Sequence, residues 1–178
     1  MARVATHTIR LFGDPVLKQQ AAPVADLNGN LAKLVDAMYA TMYEAHGVGL
    51  AAPQVGVQQR FFVYDINDET GPHVLLNPEI VEAKGEWTYE EGCLSLPGLA
   101  FEITRPDVIT MKGLDLDGNE VVLEGDELLG RVFQHELDHL DGVLLLDRLA
   151  RAERKQALRE LREQGMRGPT PGGRQHAL

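Results

Sequence analysis

His135, Glu136 and His139 stand in the order His-Glu-Leu-Asp-His, a pattern whose meaning is geometric. On a helix, residues four apart lie on nearly the same face, so both imidazoles can reach one metal ion. Glu136 is rotated only modestly from that face. It can sit beside the ion without ligating it, where a base for an activated water belongs. The preceding turns carry Leu128 and Val132 on the metal side, with Leu129, Phe133 and Leu140 beside them. Apolar residues over more than one face predict a helix mostly buried in its domain. The same short pattern arises by chance on exposed helices, where it binds nothing. In a buried helix two histidines and a carboxylate would be left unsatisfied, so metal binding is expected ahead of a hydrogen-bonded histidine pair.

A catalytic zinc-type site takes three protein ligands and keeps one position for water. A third histidine six residues after the second would fall at Leu145, which excludes that class of protease. Glu160 and Glu163 lie at a suitable distance, but among Arg154, Lys155, Arg159 and Arg162. There they read as members of exposed i,i+4 ion pairs. The remaining candidate is Cys93, in Glu91-Gly92-Cys93-Leu94-Ser95. A thiolate suits a borderline-soft divalent ion, and Gly92 allows close backbone approach. Taken alone, a single cysteine is more often an inert buried hydrophobe. Gly47-Val48-Gly49 could suggest a dinucleotide loop, but that needs a strand before the glycines and a helix after them. Here a helix precedes and strands follow, so no nucleotide site is expected.

These residues need elements to hold them. At 178 residues the chain can build one full-sized core and is short for two. Leu31, Leu34, Val35, Met38, Met42 and Ala45 recur at helical steps, predicting an amphipathic helix over Asn28 to His46. Gly47 stands where such a helix end often needs a left-handed residue. Strands are predicted at Arg60 to Ile66, His73 to Leu76, Val108 to Leu116 and Glu120 to Leu123. Asp117-Gly118 is a hairpin signal between the last two. A second helix is predicted over Asp126 to Asp141, stopped by Gly142, and a third from about Ala150 to Gln164. The order lacks regular β-α alternation. It predicts an α+β fold, with mostly antiparallel sheets packed around a central buried helix carrying His135 and His139, plus an N-terminal and a C-terminal helix. Residues 1–164 are expected to form a single catalytic domain, and the Gly- and Pro-rich residues 165–178 a disordered tail.

The net charge of -10 is unevenly placed, with a basic segment from Arg148 onward and an acidic body before it. An acidic body argues against whole-surface nucleic-acid binding and leaves room for the end of the chain alone to touch a polyanion. One cysteine rules out an internal disulfide. No apolar stretch is long enough to span a membrane, and MARVATHTIRLFGDP holds no continuous apolar signal region. A cytoplasmic protein is expected.

Three segments, Gly47-Val48-Gly49-Leu50-Ala51-Ala52-Pro53-Gln54, Glu91-Gly92-Cys93-Leu94-Ser95 and Gln134-His135-Glu136-Leu137-Asp138-His139, resemble the three ordered signature motifs of the peptide deformylases. The resemblance spans about Ile9 to Leu149. It implies that Cys93, His135 and His139 bind one divalent metal ion, commonly ferrous iron, with zinc or nickel able to occupy the site. It implies that Glu136 is the general acid/base, and that Gln54 and the Leu94 N–H face the developing oxyanion. The implied substrate is the N-formylmethionyl end of newly made polypeptides, cleaved to formate and a free amino terminus. By the same analogy Val48 and Gly49 lie beside an extended peptide, and Val48, Leu128 and Val132 form a methionine pocket. Arg131 stands where some members have an apolar residue, which would change the pocket rim. Leu99-Ala100-Phe101 replaces a stretch where some carry an arginine for longer substrates. Arg105 could pair with Glu91 and brace the Cys93 loop, or be a solvated surface arginine. In some members a C-terminal helix docks on the ribosome, a role open to Arg148, Arg151, Lys155, Arg159 and Arg162.

Two rivals remain. A metallopeptidase would use His135, His139 and a C-terminal glutamate, and would not need Cys93 as a ligand. A binding module with a structural metal would need a fourth protein ligand. His46, which precedes the glycine loop, is no evident candidate.

Overall fold

The computed structural model describes residues 4–167 and 177–178. The first helix, α1, spans Gly29–Glu44. It starts because the Asn28 side chain accepts hydrogen bonds from the Asn30 and Leu31 N–H groups, satisfying donors that a helix start leaves open. It ends at Ala45, and the left-handed residue beyond is His46, with φ 58°, rather than Gly47. Gly47 is needed for a different reason: a Cβ there would lie 2.7 Å from Leu94 Cδ1.

Among the described residues, seven strands follow in two sheets. β1 (Gly49–Ala51), β2 (Phe61–Tyr64), β3 (His73–Lys84), β6 (Val108–Leu114) and β7 (Glu120–Gly125) form a five-stranded antiparallel sheet in the order β1-β2-β3-β6-β7. β4 (Trp87–Gly92) and β5 (Ala100–Arg105) form a separate antiparallel pair. Every residue of β2, Phe-Phe-Val-Tyr, is buried. A strand points alternate side chains to opposite faces, and here both faces are covered. Phe61 and Val63 join Val35, Met38 and Met42 of α1, whereas Phe62 and Tyr64 join the second helix.

That helix, α2, spans Glu127–Leu140 with Asp126 and Asp141 as its caps. Val132, Phe133 and Leu140 are fully buried against Phe62, Leu75, Ile109 and Met111. The predicted α+β architecture, with antiparallel sheets and a buried central helix, is what the chain forms.

The differences have physical causes. β3 runs on to Lys84 instead of stopping at Leu76, because register shifts between Leu76 and Glu79 and between Ile80 and Glu82 absorb the break at Pro78. β4 and β5 lie where no strand was expected. The inward positions of β4 are Trp87, Tyr89 and Glu91, so a charged residue at the third hides the alternation. The last helix, α3, spans Arg151–Arg167, past Gln164. Ala157 is its buried anchor, in a cluster with Cys93, Leu96, Ile103, Leu145 and Leu146. Residues 168–176 of the expected tail lie outside the described residues. Its helical start and its final pair, Ala177 and Leu178, do not fit the expectation of disorder. Ala177 and Leu178 are buried, and Ala177 pairs with Gly92 as a parallel bridge.

Candidate active site

Three elements converge. β1 leads into the 3-10 turn Ala52–Val55, which carries Gln54. β4 ends at Gly92, placing Cys93 and Leu94 in the turn that the Leu96 N–H closes on the Cys93 carbonyl at 2.9 Å. α2 brings His135, Glu136 and His139. The donor atoms of Cys93, His135 and His139 lie within 4.8 Å of one another, and all three residues are buried. Cys93 Sγ is 3.4 Å from His139 Nε2. Leu145, the position a third histidine would need, is a core residue, and Glu163 on α3 is exposed. Glu160 accepts from Gln156 rather than from an arginine.

The buried polar atoms test whether a metal fits. His135 Nε2 and both carboxylate oxygens of Glu136 are buried without a hydrogen-bond partner. Buried groups in this state cost free energy unless a partner is supplied. Two imidazoles and a thiol, with an unpartnered carboxylate beside them, are a donor set suited to a borderline-soft divalent ion and a water. The residues therefore fit a metal.

His135 is oriented from behind. Its Nδ1 lies 3.0 Å from Glu91 Oε2, which turns Nε2 toward Cys93 and His139, the usual arrangement for a ligating histidine. Glu91 is fully buried and is held by Arg105 through two hydrogen bonds, at 2.7 and 3.0 Å, and by Arg131 at 2.8 Å. Burial alone would raise the Glu91 carboxyl, but its bonds and charge contacts with His135 and Arg105 hold it well below the usual carboxylate range. Arg105 also reaches Asp138 at 2.8 Å, and Asp138 binds Arg148. Arg105 thus braces the Cys93 loop and is not a solvated surface arginine.

Gln54 is fully buried. Its Oε1 accepts from the Ala51 N–H at 2.9 Å, which leaves the amide NH₂ facing Ser95 Oγ at 3.2 Å and Cys93 Sγ at 3.9 Å. Glu136 is fully buried against Gly49, where a Cβ would lie 2.4 Å from its Oε1. Burial, with Glu91 and Asp138 nearby, pushes Glu136 up to about 7 against the opposing pull of His135. A group near neutrality can take a proton and return it. Burial lowers His139, and the charges of His135 and Arg105 lower it further.

Val132 belongs to the buried cluster against which Val48 and Leu128 pack. Arg131 differs from its expected place at a rim. It is 1% exposed, donates to the carbonyls of Ile103 and Trp87 as well as to Glu91, and lies over the Trp87 and Tyr89 rings at 5.3 and 5.9 Å. Its role as a brace could not be found from the helix pattern, because every partner comes from the distant β4–β5 hairpin. Asp138 and Ser95, also unforeseen as site-bracing residues, sit inside two of the motifs.

Fold and donors together define an α+β protein with a helical His-Glu-x-x-His and a cysteine as the third group of a triad that could hold a metal ion. Comparison with known proteins makes this specific. The model of the family "Polypeptide deformylase" matches residues 6–155, and the chain belongs to that family. A peptide deformylase of Acidothermus cellulolyticus is 47% identical over 94% of this chain and 92% of its own length. The crystal structure of a peptide deformylase from Legionella pneumophila superposes with a TM-score of 0.86 at 40% identity, covering 93% of this chain and 100% of that one. A peptide deformylase from Ehrlichia chaffeensis, solved in complex with actinonin, gives 0.85 at 34% identity over 90% and 98%. No helix among the described residues is long and apolar enough to cross a membrane.

Proposed function

We propose that this chain hydrolyses the N-formyl group from the N-terminal formylmethionine of newly made polypeptides, releasing formate and leaving a free amine. The observation that carries the reading is the meeting of Gln54, Cys93, His135, Glu136 and His139 at one buried site. Cys93, His135 and His139 would hold a single divalent ion, ferrous iron natively, with zinc or nickel able to replace it. The ion would supply Lewis acidity that makes water nucleophilic near neutral pH.

Glu136 takes a proton from the attacking water and delivers one to the departing nitrogen, so the amide bond breaks without releasing a free amide anion. Gln54 Nε2 and the Leu94 N–H donate to the carbonyl oxygen as it gains negative charge; loss of one such donor costs on the order of 100-fold in rate. β1 is the edge of its sheet, so Val48 and Gly49 can pair with an extended peptide as an added strand. Val48, Leu128 and Val132 give the methionine side chain an apolar wall. Residues 1–164 act as one catalytic unit, in the cytoplasm. Exposed Arg151, Lys155, Arg159 and Arg162 of α3 offer a basic stripe for ribosome docking; Arg148 is bound to Asp138. Unchanged ribosome co-sedimentation after removal of the chain from Ala150 onward would exclude that docking.

The test is protein purified without oxygen, given formyl-Met peptide and the same peptide unformylated. Formate release from the first and no cleavage of the second is expected. Cleavage of internal peptide bonds without formate release overturns the reading in favour of a metallopeptidase.

A further inference from the structure

We propose that Ala177 and Leu178 of this chain occupy its own substrate groove and compete with the incoming peptide. Ala177 pairs with Gly92 as a parallel bridge, and the Leu178 N–H donates to the Gly92 carbonyl at 3.4 Å. Gly92 is the residue immediately before Cys93, so a strand laid along it runs past the metal-binding triad. The two residues are 6% and 3% exposed, whereas most of the preceding helix faces solvent.

Their side chains enter different clusters. Ala177 joins Leu50 and Leu94, and Leu178 joins Val132, with Val48 and Leu128 packed against the same group. Those last three are the residues assigned above to the methionine pocket, and this inference rests on that assignment. A leucine and a methionine are unbranched at Cβ, apolar and similar in volume, so one pocket accepts either. Main-chain pairing at Gly92 combined with one side chain in an apolar pocket is the recognition mode of strand addition.

A two-residue contact is weak between separate molecules. Here only nine residues separate Ala177 from Arg167, so the contact is made within one chain, and over so short a separation the effective concentration is on the order of 1 mM. Even a contact of about millimolar affinity then closes the groove about half of the time. The expected consequence is competitive: an apparent KM raised by about twofold or more, with kcat unaffected.

The experiment compares the full chain with Leu178→Asp and with a variant lacking residues 177 and 178, through KM and kcat for a formyl-Met-Ala-Ser peptide and amide hydrogen exchange at residue 178. Expected are a KM lower by about twofold or more in both variants, equal kcat, and an amide at 178 whose exchange, relative to its intrinsic rate, is slowed by about twofold or more in the full chain and not in Leu178→Asp. Equal KM values with an unprotected amide overturn the proposal. So does protection that grows with protein concentration, because the occupant would then be a second copy. If no variant releases formate while the amide at 178 is still protected, the deformylase reading fails and the self-occupied groove stands.

Discussion

Gly49→Ala is the smallest change that reaches the reacting groups. The added carbon would lie 2.4 Å from Glu136 Oε1, 2.9 Å from Cδ and 3.1 Å from Cγ, where ordinary contact begins at 3.4 Å. The carboxylate must therefore withdraw by about 1 Å, a misplacement that costs on the order of 100-fold in rate at a positioned catalytic group. α2 cannot yield instead, because Val132, Phe133 and Leu140 are fully buried in the cluster that includes Phe62, Leu75, Ile109 and Met111. The Glu136 side chain turns off its rotamer at a cost of about 0.5–1.5 kcal/mol. Relief from glycine's backbone entropy returns about 0.5–1 kcal/mol, so the melting temperature barely moves. The assay is kcat and KM on a formyl-Met peptide, with metal content and melting temperature measured on the same preparation. Expected is a kcat lower by about 100-fold with metal and stability kept. A kcat within about threefold of the parent refutes the geometry. A rise in KM alone would assign Gly49 to peptide pairing and not to the seating of Glu136.

Glu136→Gln is expected to retain metal and lose about 10²- to 10⁴-fold in turnover; near-normal turnover removes Glu136 from proton transfer. Arg131→Met leaves Glu91 short of one cation and the Ile103 and Trp87 carbonyls short of a donor. A loss of about 3 kcal/mol in unfolding free energy is expected, and an unchanged denaturation midpoint would show that Arg131 does not brace the site. Asp147 is lowered, with burial opposing, by its bonds to Lys18 and the Leu144 N–H and by the charge of Arg154. A depressed folded value gives stability that is present above the ordinary carboxylate range and lost as pH falls through the folded value. Urea denaturation from about pH 6 to about pH 2 is therefore expected to fall less steeply in Asp147→Asn, and parallel curves would contradict the assignment.

The helix carrying His135 and His139 was legible because its evidence is local: apolar residues at helical steps, with two histidines on one face. The α+β class followed from element order alone. Other features depend on contacts that sequence spacing does not encode. Glu91 reads as a polar residue breaking a strand, yet it is the inward end of β4 because Arg105, Arg131 and His135 neutralise it there. Arg131 has the opposite character: its charge suggests solvent, and burial becomes tolerable only once the hairpin folds over it. Gly47 was assigned a left-handed helix end that His46 takes, because the demand for a missing side chain comes from Leu94, far along the chain. Cys93 was a candidate by elimination and gained its role from its neighbours in the motif.

The separate β4–β5 pair has a consequence for how the molecule comes apart. Two strands alone have little stability in water, and this pair meets α2 through a charged seam, Glu91 and Arg105 on one side, Arg131, His135 and Asp138 on the other, with Tyr89 packed on the apolar cluster of Val132 and Phe133. Such a seam is a clasp. A cation shared by Cys93 and the two histidines would rivet it shut, since binding to the closed form alone lowers the population of open ones. Stripping the metal would then be felt first as opening of residues 87–105, while the five-stranded sheet, with apolar clusters on both faces, stays closed. In that sense the reaction centre is also a fastening, and chelators would act on the hinge of the structure before they act on its core.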